Sequence, residues 1–133
     1  MPWVEVLAVF LVCHLVGDYL LQTDWQAAHK RGGLGPNRES RRALIAHITT
    51  YTLAFVPALV WLADEIGATA IALAALIALT HLIQDDGRLL ERYIAVVKGE
   101  PAVRNATVMA VVDQSFHVVV LFGIALLAGE LSA

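Results

Sequence analysis

Four long apolar runs, each bounded by polar or turn-forming residues, organise the chain: roughly 3 to 22, 43 to 63, 68 to 84 and 106 to 128. A helix needs about 20 mainly apolar residues to cross a bilayer, so each run predicts a membrane-spanning helix. The third is the shortest, but Ala68 to Thr80 holds no charged residue and is rich in Ala, Ile and Leu. Pro57 predicts a kink in the second, because proline lacks the N–H that continues a helix. The intervening loops are 23–42 and 86–105. In the first, Gly32, Gly33, Gly35, Pro36 and Asn37 form a turn-favouring cluster. Asp24 to Lys30 before it reads as an interfacial extension of helix one, with Trp25 at headgroup level. The second carries a helical pattern from Arg88 to Val97 that mixes polar and apolar positions. It predicts a segment lying on the membrane surface and ending at Gly99 and Pro101.

Composition supports this reading. The 133 residues are 59% hydrophobic and only 16% charged, with a mean hydropathy of +0.69, which departs far from a soluble domain. The fold expected is all-α, a four-helix transmembrane bundle forming a single membrane domain over 1–133. Cys13 stands alone, so no internal disulfide forms. No basic residue precedes the first apolar run, which itself holds His14 and Asp18, so that run is not expected to be a cleaved leader. All nine Lys and Arg residues lie in the two long loops, whereas the middle turn carries Asp64 and Glu65. The positive-inside rule then puts both long loops in the cytoplasm and both termini outside.

Against this apolar background, seven ionisable residues in or at the ends of the spans group together: His14, Asp18, His47, His81, Asp85, Asp113 and His117. On insertion scales a charge at the bilayer centre costs roughly 2.5 to 3.5 kcal/mol, so intramembrane ionisable groups mark function. His14 with Asp18, His81 with Asp85 and Asp113 with His117 are spaced i, i+4, which stacks each pair on one helix face. His47 with Tyr51 gives the second span a similar polar pair. Neighbouring spans run in opposite directions, and these residues fall late in spans one and three but early in two and four. All seven are therefore expected at one depth, near the cytoplasmic face.

Imidazole and carboxylate without thiolate form a ligand set for a divalent metal. Zinc is the default expectation, and the seven side chains exceed the three or four protein ligands of one zinc ion, so one or two ions are expected. Each Asp has two readings, as a ligand or as an acceptor that orients a metal-bound His. A polar network joining the helices without metal is the plainer alternative for the whole set. Gly17 predicts close packing against another helix. Gln22, Gln84 and Gln114 lie where they would orient bound groups, and His29 reads as an ordinary surface residue.

The string His14-Leu-Val-Gly17-Asp18-Tyr-Leu-Leu-Gln22 through Ala27 to Lys30, then His47 with Tyr51, His81-Leu-Ile-Gln-Asp85 and Asp113-Gln114-Ser-Phe-His117, resembles a family of small bacterial and phage membrane proteins catalogued as a domain of unknown function (number 3307). The resemblance covers nearly the whole chain. It implies a four-helix protein of the bacterial inner membrane whose His/Asp pattern is similar to that of membrane-bound metal-dependent hydrolases. Here the third motif reads Asp85-Asp86-Gly87-Arg88 where the family often has a basic residue shortly after the first Asp, which leaves open which acid faces the site.

The function expected is a metal-dependent hydrolase acting on a lipid or phosphoester at the cytoplasmic face, with Asp18 or Asp85 as general base. Lys30, Arg31, Arg41, Arg42 and Arg88 would attract its phosphate, or would serve only topology and contact with anionic membrane lipid. A divalent-metal transporter or sensor and a structural or regulatory protein with a structural metal are the alternatives, and homo-oligomerisation stays open. No Gly-rich phosphate loop, nucleophile elbow or HExxH helix is present. The net charge of −3 excludes a nucleic-acid partner.

Overall fold

A computed structural model describes all 133 residues and contains helices and no strand. Helix α1 (Trp3–Leu15) runs into a short π-helical segment, Val16–Leu20. Then follow α2 (Asp24–His29), α3 (Arg38–Ala54), α4 (Val56–Ile66), α5 (Thr69–Asp86), α6 (Arg88–Lys98), α7 (Glu100–Val103) and α8 (Ala106–Leu131). Three helical stretches are long and apolar enough to cross a membrane: Trp3–Leu20, Thr69–Asp86 and Ala106–Leu131. The fourth expected span is a bent pair, in which α3 and α4 meet at 53°. Pro57 stands in the first turn of α4, where an N–H would have no helical partner, so the break falls at Phe55, just before it. The expected kink is present, and it divides the second apolar run into two helices.

Helix α2 does not continue helix one. The Thr23 side chain accepts from the Gln26 N–H at 3.2 Å, and Gln26 Oε1 accepts from the Thr23 N–H at 3.0 Å. This reciprocal cap starts a new helix. Asn37 and Asn105 cap α3 and α8 by accepting from backbone N–H groups. The polar residues flanking the apolar runs thus set the helix starts.

Helix α1 packs on α8, α3 on α5, and α5 on both α4 and α8. Each long element is apolar at one end and polar at the other. Val6 and Phe10 of α1, Phe55 and Leu62 beside the bend, Leu73 and Ile77 of α5, and Leu121 to Ala128 of α8 form one buried apolar cluster. Asp18, His47, His81, Asp85 and His117 occupy the opposite ends of the same elements, also buried. Tyr51 joins the two halves, touching Phe55 on one side and His81 on the other. The outer faces are apolar as well, with Val12, Leu20, Val60, Ile71 and Val119 all more than 60% exposed.

Gly17 is fixed by this packing. A Cβ there would stand 2.6 Å from Tyr51 Cδ2 and 3.2 Å from Tyr51 Cα, so the first helix approaches α3 backbone to backbone, as small residues allow. At the polar end, Asp86 ties the long loops together. Its backbone carbonyl accepts from the Gly32 N–H at 2.8 Å, its side chain from the Leu34 N–H at 2.8 Å and from Arg88 Nε at 2.6 Å.

Candidate metal centre

Four side chains from three different elements meet at one point. Asp18 comes from the π-helical segment, His47 from α3, and His81 and Asp85 from α5. His47 Nε2 lies 3.1 Å from Asp18 Oδ1, 3.0 Å from His81 Nε2 and 2.8 Å from Asp85 Oδ2. His81 Nε2 lies 3.2 Å from Asp18 Oδ1 and 3.1 Å from Asp85 Oδ2. All four residues are buried.

Such crowding needs a cation or shared protons to hold it. A carboxylate only accepts, and a neutral imidazole donates through one nitrogen alone. Two imidazole nitrogens 3.0 Å apart have room for one proton between them, so lone pairs converge on one point. Ligands about 2.1 Å from a common ion stand about 3.0 Å apart at right angles and about 3.4 Å apart in a tetrahedron. The five separations above fall close to those edges. Charge agrees: Asp18, Asp85 and Asp113 bring three negative charges and Lys30 one positive, which leaves the balance of a divalent ion. The residues present therefore fit a divalent metal.

A second group adjoins the first through Asp85, joining it to Asp113 and His117. His117 Nδ1 lies 2.7 Å from the Asp113 backbone carbonyl, so it carries the proton and leaves Nε2 as a bare acceptor. That Nε2 faces Asp85 Oδ1 at 3.3 Å, and both atoms are buried without a hydrogen-bond partner. Buried polar atoms are seldom left so, and two acceptors face to face again suit a cation. Asp85 thus offers one oxygen to each group.

His14 belongs to neither. Its Nε2 meets Gln114 Oε1 at 2.8 Å and its Nδ1 meets the Tyr51 hydroxyl at 3.0 Å, so both ring nitrogens are satisfied. Its separation from Asp18, 3.9 Å to Oδ2, follows from the π-helical turn. The Leu21 N–H bonds to the carbonyl of Val16, five residues back, and this wider turn aims Asp18 at His47 and His81 rather than at the face of His14. Of the other expected residues, Gln114 Nε2 also donates to Asp18 Oδ2 at 3.1 Å. Tyr51 stacks on the His81 ring at 3.4 Å and fixes its plane. Asp85, not Asp86, enters the site.

Lys30 is the site residue that sequence reasoning assigned elsewhere. Its ammonium donates to Asp85 Oδ2 at 2.7 Å and to Gln22 Oε1 at 2.6 Å. Three other loop cations are engaged in structure: Arg31 with Glu91, Arg88 with Asp86, and Arg41 with the Gly35 carbonyl. A cavity of about 490 Å³ opens onto the cluster, lined by Asp18, Gln22, Lys30, Asp85, Asp113 and Gln114, with Arg104 among its other walls. Arg104 makes no ion pair.

Fold and site together define an all-helical protein with membrane-length helices, built around a buried His/Asp cluster able to hold a metal. The chain belongs to the family described as "Protein of unknown function (DUF3307)", which matches residues 6–133. Neither the curated proteins nor the solved structures contain a match.

Proposed function

We propose that this chain is an integral membrane protein that binds a divalent metal at the polar end of its helices and hydrolyses a lipid-derived or other phosphoester there. The observation that carries the reading is the convergence of two imidazoles and two carboxylates within 2.8–3.2 Å in a buried site beside an open cavity. The exposed apolar side chains on every long helix support membrane insertion, since water-soluble chains rarely expose so much apolar surface. In that setting the bent pair α3–α4 completes a fourth span. The basic residues of both long loops support a site at the cytoplasmic face with both termini outside, and the family resemblance supports a bacterial inner membrane.

Asp18, His47, His81 and Asp85 would hold one ion, with Asp85 shared toward a second at Asp113 and His117. Zinc suits these nitrogen and oxygen donors. Such an ion supplies Lewis acidity and makes water a nucleophile near neutral pH. The chain does the rest. Lys30 holds Asp85 in place and balances its charge, and Gln114 fixes Asp18 from the cavity side. Asp113 is the least buried of the three carboxylates, with its side chain 22% exposed, and so is the one placed to take a proton from water in the cavity. The apolar cluster closes the other half of the bundle, which opposes a polar route for metal transport through a single chain.

The test is elemental mass spectrometry of detergent-purified protein, beside His47→Ala and His81→Ala. One or two equivalents of metal per chain, lost in both variants, with phosphate released from a phosphomonoester and abolished by chelator, are the results expected. Absence of metal from well-folded wild type would leave a polar network and overturn the reading. Bound metal without hydrolysis would favour a structural or sensing role.

A further inference from the structure

Beside the polar cavity lies a second, apolar one of about 290 Å³. Ile83 of α5, Leu89, Leu90 and Tyr93 of α6, and Phe116 of α8 form its walls, and it shares Gln84 and Asp113 with the polar cavity. Tyr93 and Phe116 meet edge to face at 4.9 Å, and Leu90 packs into a small buried cluster with Ile94 and Met109, so the walls are set. The groove continues outward along α6, where Leu89, Tyr93, Val96 and Val97 are exposed on one stripe, opposite Arg88, Glu91 and Arg92. A helix of this kind lies in the membrane interface with its stripe in the acyl region.

The two cavities therefore present one continuous site, cationic and polar at one end and apolar at the other. We propose that it takes a lipid with a phosphomonoester head, such as a phosphatidate, entering sideways from the membrane. The head sits in the polar cavity, where Arg104 is the cation without an ion pair and Lys30 stands beside Asp85. One acyl chain lies in the groove between Ile83, Tyr93 and Phe116. Most ligand sites are apolar concavities with a few placed polar groups, and here the division follows the two ends of an amphiphile. A soluble phosphate would use only the polar half and would leave the groove without a role. This inference rests on the phosphoester reading above, but binding is measured apart from turnover.

The experiment counts bound ligand by native mass spectrometry of the full-length protein in detergent, with didecanoyl phosphatidate, didecanoyl glycerol and glycerol 3-phosphate as probes. Ile83→Trp and Leu89→Trp fill the groove from positions 46% and 63% exposed, which spares the buried core. The phosphatidate is expected to bind wild type at least about tenfold more tightly than either other probe and to lose about tenfold in both Trp variants. Glycerol 3-phosphate binding is expected to stay unchanged in those variants. Equal binding of phosphatidate and glycerol 3-phosphate, or of phosphatidate and didecanoyl glycerol, would overturn the proposal, as would Trp variants that bind like wild type. If the phosphatidate behaves as expected and is never cleaved, the lipid site stands and the hydrolase reading falls.

Discussion

Asp85→Asn is expected to empty the metal centre, whereas Asp86→Asn is expected to leave it filled. The two acids are adjacent and both buried, but their surroundings differ. Asp85 touches His47, His81, His117 and Lys30, and it alone contributes to both ligand groups. The amide keeps its shape, removes the charge and presents an N–H₂ where lone pairs converge, and Lys30 loses its counter-ion. Changes one shell out from a metal typically cost 10- to 100-fold in affinity, so loss at this shared residue is expected to reach at least about 100-fold. Asp86 instead binds the Leu34 N–H and Arg88, so its amide variant should loosen the loops and keep the metal. Metal titration of both proteins decides it. Equal losses would mean that the site depends on loop architecture rather than on Asp85 as a ligand.

The second large effect concerns Tyr51, whose ring is 1% exposed between Phe55 and His81. Removing a buried aromatic side chain costs about 3–5 kcal/mol, so Tyr51→Ala is expected to lower the thermal midpoint in detergent sharply. Tyr51→Phe keeps the stack and loses the hydroxyl bond to His14, which accounts for about 0.5–1.5 kcal/mol. A phenylalanine variant as unstable as the alanine one would shift the weight from packing to the Tyr51–His14 bond. An alanine variant as stable as wild type would remove Tyr51 from the support of the site.

Much of this was legible in the sequence because helices this apolar carry few polar residues, so each one stands out. The i, i+4 spacing within α5, the repeat in α8 and the alternation of depth brought His47, His81, Asp85, Asp113 and His117 together on paper as they come together in space. What escaped were features that depend on departures from a regular helix. Counting by 3.6 paired His14 with Asp18, but Asp18 stands within the π-helical turn and faces His47 and His81 instead. Lys30 reaches Asp85 only because the Thr23 cap starts a new helix and turns the chain back, and no periodicity carries that return. The choice between Asp85 and Asp86 was settled by Gly87, whose φ of +80° ends α5 and leaves Asp86 facing the loop. The break near Pro57 was foreseen, but its 53° angle comes from packing.

The π-helical segment also sets a limit on how far this protein can be stabilised by regularising it. Deleting one residue between Val16 and Leu20 would let ordinary α-helical bonding run to the end of the first helix. It would also remove the wide turn in which Asp18 stands, so that Asp18 would no longer be held facing His47 and His81. The irregular turn is an extra residue retained at a structural cost, and a chain selected for stability alone would tend to lose it along with the place of Asp18 in the cluster.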